Sequence, residues 1–308
     1  MIITVTPNPA LDVSYRVAHV RPGTSHRVRS VHERAGGKGL NVSRVLHDQG
    51  LRTLVTAPVG GARGDAIRDD LTAAGIEHLL LPVPGPTRRT VAVVAEEDPS
   101  GEATLFNEPG NHLAEADWQR LRDLIGTRLP EASVLVCSGS LPPGCTVDSC
   151  AELVCDAHAR SVPAIVDATG PALLAAAEAG ADVVKPNAAE LRETTGQHDP
   201  ITGARHLRDR GAAAVIVSLG PDGLLASTEE GLWRAKPPHA VSGNPTGAGD
   251  AAVAALAAGI LRREPWPERL RNAVAWSAAA AAAPVAGTLD HRVLGDITDR
   301  ITVEPLAS

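Results

Sequence analysis

The amino-acid sequence predicts an α/β fold in which a mostly parallel sheet, covered by helices, carries a small separate β-sheet as a lid. Three observations predict it. From residue 110 onward, strand-like apolar runs alternate with helical ones, the order that builds parallel strands joined by crossover helices. Each of those runs ends in small or polar residues, as strands do where the carboxyl rim of a sheet meets its ligand. Four thin, half-polar strands also fall in two separated segments, about 13–35 and 88–108. They are too few to enclose a core, so they must cover an active site or a partner subunit.

Ile2 to Thr6 is a short apolar strand that stops at Pro7 and Pro9, which leaves Asp12 just past its carboxyl edge. A carboxylate there can grip sugar hydroxyls or simply form a turn. Val13, Tyr15 and Val17 alternate with polar residues, and Val28 to Glu33 is β-branched and half polar, which gives the first lid pair. Between them and the next strands lies Gly36-Gly37-Lys38-Gly39-Leu40-Asn41, leading into the helical pattern Val42, Val45, Leu46. A Walker A loop needs about four residues between its first glycine and a Gly-Lys-Ser/Thr, whereas here Lys38 is followed by another glycine, so this is no Walker A loop; it suits an anionic or hydroxylated ligand, or a plain tight turn. Arg89 to Ala95 and Glu102 to Phe106, split by the turn Glu97 to Gly101, form the second lid pair.

The later strands are Val134 to Cys137, Ala164 to Val166, Val183 to Lys185 and Ala214 to Val217. They end in Ser138-Gly139-Ser140, Asp167, Pro186-Asn187-Ala188-Ala189-Glu190 and Ser218-Leu219-Gly220, which places several candidate ligand groups on one rim. Asn187 and Glu190, three apart at a helix start, can hold hydrated magnesium or form a helix cap, and local spacing favours the cap. Ser218 to Gly223 is a turn with two glycines, open to a nucleotide or to a hairpin into Leu224 to Ser227. The run Asn244-Pro245-Thr246-Gly247-Ala248-Gly249-Asp250 leads into the apolar stretch Ala251 to Leu261. Free amides of a helix's first turn, the positive end of its dipole and one carboxylate supply an anion site and a base together, although an acidic first turn also serves the dipole alone. Ala278 to Ala283 reads as a close-packed helix stopped by Pro284.

Composition narrows the function. The 308 residues are 44% apolar and carry 29 Lys and Arg against 36 Asp and Glu, a net charge of −7. No linker or repeat divides the chain, so one domain spanning 1–308 is expected. The acidic balance and the lack of a basic run argue against nucleic acid, and no long apolar segment or leader suggests a membrane; a soluble cytoplasmic protein is expected. Cys137, Cys145, Cys150 and Cys155 contain no Cys-x-x-Cys pair and read as reduced thiols, with Cys150 and Val154 on one buried helix face.

Six motifs stand in a telling order: Thr6 to Asp12, Gly36 to Asn41, Ser138 to Gly144, Lys185 to Glu190, Ser218 to Gly220 and Gly247 to Asp250. With them the whole chain resembles the ribokinase-like carbohydrate kinases, and within these the 1-phosphofructokinase and tagatose-6-phosphate kinase group. The resemblance implies a three-layer sandwich with nine or so strands and a β lid that often forms a homodimer interface. It implies ATP and Mg2+. It makes Asp250 the catalytic base, Gly247, Ala248 and Gly249 the anion hole, and Asn187 and Glu190 the groups acting on the metal through water. Lys185, Asn187, Ser218, Gly220 and Gly223 would line the nucleotide. Asp12, Gly37, Lys38, Asn41 and Ser138 would hold the sugar, Arg88 its phosphate, and Arg27 would assist from the first lid segment. One departure is Asn244-Pro245, where the broader family has Asp-Thr.

The function so implied is transfer of the γ-phosphate of ATP to a primary hydroxyl of a ketohexose phosphate, first of all fructose 1-phosphate to fructose 1,6-bisphosphate. Tagatose 6-phosphate or fructose 6-phosphate is the alternative acceptor. A non-catalytic sugar-phosphate sensor on the same fold is a different class, but a sensor needs no base beside an anion hole. A nucleoside kinase would give Lys38 and Arg88 nothing to pair with.

Overall fold

The computed structural model describes residues 1–95, 103–241 and 246–306; the turn expected at Glu97 to Gly101 and the Asn244-Pro245 departure lie outside the described residues. Ile2–Val5 (β1) runs through Pro7 and Pro9 into Ala10–Val17 (β2), which pairs with Ser30–Gly36 (β3). Lys38–Asp48 (α1) brings the chain back to Thr53–Val59 (β4), and Gly61–Ala73 (α2) leads to Glu77–Pro82 (β5). Arg88–Ala95 (β6) and Ala103–Asn107 (β7) complete the lid, a four-stranded sheet in the order β3-β2-β6-β7. Asp12 therefore sits inside a lid strand, where the sequence placed it just past the edge of β1 as a sugar ligand or a turn residue: β2 begins at Ala10, because pairing to Arg88–Ala95 on one side and Ser30–Gly36 on the other extends it.

Helices and strands then alternate as the sequence predicts. Glu115–Gly126 (α3), Val134–Ser138 (β8), Ser149–His158 (α4), Ala164–Asp167 (β9), Pro171–Glu178 (α5) and Val183–Val184 (β10) follow in turn. Ala188–Thr195 (α6), Pro200–Asp209 (α7) and Val215–Ser218 (β11) end the parallel series. Leu224–Thr228 (β12) and Gly231–Lys236 (β13) form a hairpin, and Ala248–Leu261 (α8), Trp266–Ala282 (α9) and His291–Ile297 (α10) precede Thr302–Leu306 (β14). The main sheet has ten strands in the order β14-β13-β12-β11-β10-β9-β8-β1-β4-β5, parallel from β11 to β5 and antiparallel at the other edge. Its extra strands beyond the nine or so expected come from that antiparallel edge, whose short, mixed-polarity segments give no strong alternation.

Side-chain alternation divides the core between the two faces of this sheet. Ile2, Val134, Val136, Ile165 and Ile216 pack with α1, α8 and α9, while Ile3, Val5, Leu135, Cys137, Val166 and Val217 pack with α3, α4, α5 and α7. Helix α8 is buried from Asp250 to Gly259 and is apolar all round, as a helix wedged between a sheet and other helices must be. The alanines of α9 let it lie close against α8: Ala279 and Ala280 are buried beside Ala251 to Ala258. Cys150 and Val154 share the second core as expected, and Cys137 and Cys150 stand 3.5 Å apart as free thiols. No helix among the described residues is long and apolar enough to cross a membrane.

Candidate active site

The parallel strands end on one rim. β8 ends in Ser138, β9 in Asp167, β11 in Ser218, and Lys185 follows β10. Facing the rim is one side of the lid. Along β2 the residues Leu11 and Val13 point into a buried cluster with α2, so the period of two turns Asp12, Ser14 and Arg16 into a cavity of about 1110 Å³ between lid and rim.

Local packing explains the glycines beside this cavity. A Cβ on Gly36 would collide with the Asp12 carboxylate, so the absent side chain is the seat of Asp12. A Cβ on Gly39 would strike the Thr6 hydroxyl and come within 2.8 Å of the Val5 carbonyl. Glycine there lets α1 start hard against the end of β1, and its first turn carries Lys38 and Asn41 into the cavity. At the other helix start, Gly247 has φ +87°, a left-handed backbone that favours glycine, and hands the chain to α8.

Asp250 lies in the first turn of α8, 6% exposed, and its Oδ2 accepts a hydrogen bond from Asn41 Nδ2 at 2.8 Å. Burial pushes its pKa up to about 7, with the Asp167 carboxylate adding to the rise; the Asn41 bond and the Lys38 and Lys185 charges oppose it. The Lys185 ammonium stands 3.4 Å from where a Cβ on Gly249 would be, so a cation borders the same turn as the free amides. Asp12 is raised to about 6 by burial, against the pull of Arg88, a Thr90 hydrogen bond, Arg34 and Arg44. The carboxylate that joins these groups is Asp167, read from the sequence only as a polar strand end. It is 1% exposed, lies 3.2 Å from Lys38 Nζ and 3.8 Å from Lys185 Nζ, and accepts a bond from Ser138 Oγ at 3.3 Å. Burial works against the Lys38 charge, yet Asp167, Glu190 and Asp250 together hold its pKa above the ordinary lysine value.

Arg88 opens β6 and donates to two backbone carbonyls, Nε to Asn8 at 3.2 Å and Nη1 to Glu108 at 3.0 Å. Asn187 and Glu190 form a reciprocal cap of α6: Glu190 N donates to Asn187 Oδ1 and Asn187 N to Glu190 Oε2, both at 2.8 Å. Both residues also line the cavity, as do Ser218, Gly220 and Gly223 beside Leu224, with Ala278 and Ala281 of α9. Two expected ligands are absent from the cavity wall. Ser138 is fully buried and spends its hydroxyl on Asp167, because β8 is an interior strand packed on both sides. Arg27 is exposed on the loop between β2 and β3, away from the wall. Arg34, which the sequence did not single out, is on that wall and donates from Nη1 to the Ala286 carbonyl at 2.9 Å.

The cavity thus gathers a buried carboxylate in a helix's first turn, cations around it and two glycine turns. A 1-phosphofructokinase of Escherichia coli (strain K12) is 32% identical over 309 residues, 99% of this chain and 98% of that one. A 1-phosphofructokinase of Xanthomonas campestris pv. campestris is 36% identical over 84% of each chain. The structure of the tetrameric inhibited form of phosphofructokinase-2 from Escherichia coli superposes with a TM-score of 0.88 at 29% identity, covering 97% of this chain and 98% of that one. The model of the pfkB family carbohydrate kinases matches residues 8–291. With that match over nearly its whole length, the chain belongs to the pfkB family of carbohydrate kinases, and as a kinase it takes ATP as its phosphate donor.

Proposed function

We propose that this kinase moves the γ-phosphoryl group of ATP to a free primary hydroxyl of a ketohexose phosphate in the cytoplasm, with fructose 1-phosphate as first acceptor and fructose 1,6-bisphosphate as product. The observation that carries the reading is Asp250: a buried carboxylate with a pKa near 7, at the mouth of a helix N-terminus and between two lysines. Deprotonated, it takes the proton of the attacking hydroxyl, while Asn41 fixes its orientation. The amides of the turn Gly247 to Gly249 and the dipole of α8 stabilise the negative charge on the group in transit, with Lys38 and Lys185 beside them. Asp12 binds sugar hydroxyls and Arg88 the acceptor phosphate. Ser218, Gly220 and Gly223, with the small residues of α9, form the recess for the nucleotide.

Mg2+ is the expected companion of ATP, and the oxygen chemistry of the rim suits it. One oxygen of Glu190 and the side chain of Asn187 are taken by the cap, and Asp167 by cations, so the protein has few oxygens free for a direct ligand set. That suits an ion that keeps its waters and leans on substrate phosphates. Glu190, with its second carboxylate oxygen, and Asn187, whose capping Oδ1 keeps a second lone pair, would hold such an ion through its waters, and when bound it would neutralise phosphate charge.

Relatives named 1-phosphofructokinase favour fructose 1-phosphate, and the likeness to phosphofructokinase-2 keeps fructose 6-phosphate or tagatose 6-phosphate as the second reading. Side-by-side kcat/KM for these three, free fructose and adenosine tests the proposal. Comparable kcat/KM for free fructose and its phosphate would overturn it. A homodimer through the lid is part of the same proposal. Tyr15, Val93 and Phe106 share the lid face opposite the cavity, and Phe106 is more than half exposed. In that assembly Arg27 serves the neighbouring copy. A solution mass of one chain, unchanged in Phe106→Glu, would count against the dimer.

A further inference from the structure

We propose that Arg34 is a positioning residue for phosphoryl transfer, tying the lid to the loop that backs the anion turn; the proposal rests on the kinase reading above. Arg34 lies on β3 directly opposite Asp12 of β2, so its backbone moves with the strand that carries the sugar-binding carboxylate. Its Nη1 donates 2.9 Å to the carbonyl of Ala286, a residue 252 positions away in the sequence. That acceptor sits in the loop 284–287, and the neighbours of this loop give the bond its meaning.

Ala286 fills the space on one side of Gly247: its Cα lies 3.0 Å from where a Cβ on Gly247 would be. Gly287, with φ +75°, packs against Asn41, whose Oδ1 is 3.3 Å from the corresponding Cβ position. Asn41 in turn holds Asp250. The loop thus touches the anion turn and the partner of the base, and Arg34 fastens the lid to it. Acceptor binding at Asp12 and the geometry of the turn that receives the phosphoryl group are therefore linked through one side chain.

The setting of Arg34 also speaks for a specific role. It is held half-buried beside a second guanidinium, Arg44, with Asp70 and Asp12 as counter-charges. A partly desolvated pair of like charges opposes folding, and a solvated lysine or a neutral residue on this strand would avoid that cost. A strut serving stability alone would be expected to end in the core. This one ends on the loop packed against the anion turn.

The test uses the full chain with ATP and the phosphosugar it turns over fastest. Arg34→Ala should lower kcat by about tenfold or more, since an ångström of misplacement at reacting groups costs up to roughly 10²-fold. The KM for each substrate and the Tm should stay close to those of the unmutated enzyme. Millimolar guanidinium ion should restore part of the lost kcat to Arg34→Ala and none to the unmutated enzyme. Arg34→Lys, which keeps a donor and the charge, should fall between the two, and it carries the same division of kcat against KM if the alanine variant does not fold. An unchanged kcat overturns the proposal. So does a loss confined to the acceptor KM, which would make Arg34 a direct ligand, or a loss that follows a lowered Tm. An unmutated chain without phosphoryl transfer would overturn the kinase reading as well, whereas an active kinase indifferent to Arg34→Ala overturns this proposal alone.

Discussion

Asp250 loses water on folding and faces the charge of Asp167, so its carboxylate keeps a proton up to about pH 7, far above the ordinary value of 3.8. A base works only when deprotonated, so kcat/KM for the acceptor should fall about tenfold per unit of pH below that pKa. Asp250→Asn keeps the shape and the Asn41 hydrogen bond but removes the base; kcat should drop by roughly 10² or more with little change in KM. Stability should move the other way. Between pH 3.8 and about 7 the folded protein holds this proton and the unfolded chain does not, so Asp250 costs stability progressively as pH rises through that window. The asparagine variant escapes the cost, so its Tm should exceed that of the unmutated protein at pH 8, and the difference should vanish toward pH 4. Near-normal turnover, or a lower Tm at pH 8, would count against Asp250 as a buried base. Its position after a glycine turn was legible in the sequence, but its contacts were not: Asn41, expected at the sugar, lies 209 residues away, and Asp167 was readable only as a polar strand end on the rim.

The elements that carry the site are set by close approach, which a sequence shows only as glycine. Gly36, Gly37 and Gly39 were readable as a tight turn before α1. What they make room for, Asp12 on one side and the end of β1 on the other, appears only when β2 and β3 pair. Helix α1 is then held by a chain of buried hydroxyls, Thr4 to Ser43 at 2.7 Å and Ser43 to Thr53 at 2.8 Å, which joins it to β1 and β4. Gly36→Ala should push Asp12 from its seat, raising KM for the acceptor at least tenfold by order of magnitude while KM for ATP stays within about twofold. Equal losses for both substrates would mean that the lid as a whole had shifted. The α6 start is a case where the two sequence readings coexist, since Asn187 and Glu190 cap the helix and also face the cavity. Glu190→Gln keeps an acceptor for the Asn187 amide, so Tm should hold while the Mg2+ concentration for half-maximal rate rises. A lowered Tm with an unaltered Mg2+ dependence would leave Glu190 a cap alone.

Across the whole molecule, the alternation of strand and helix from residue 110 onward put the rim residues side by side, and this much of the fold was legible. Of the antiparallel edge only the hairpin into Leu224 to Ser227 was legible, because β13 and β14 are short, mixed in polarity and defined by their neighbours. The charge balance of the cleft also changes once partners are known. Lys38 and Arg88 looked like two cations waiting for an anion, but Lys38 already has Asp167 at 3.2 Å. Arg88 is different: its hydrogen bonds go to neutral carbonyls, and of the two acids that support its charge, Asp12 and Glu108, the stronger influence, Asp12, is one that burial inclines toward protonation. Burial presses on the Arg88 charge too and lowers its pKa, so an anion arriving there relieves a strained cation. A charge-assisted bond of this kind contributes about 1.5 to 3 kcal/mol, which converts to a loss of roughly tenfold to a hundredfold in kcat/KM when it is removed. Arg88→Ala should lose that much toward fructose 1-phosphate and nothing toward free fructose, whose rate should be low from the outset, if the missing group is the partner of the phosphate. Equal proportional losses for the sugar and its phosphate would instead assign Arg88 to holding Asn8 and Glu108, the two ends of the lid it bridges.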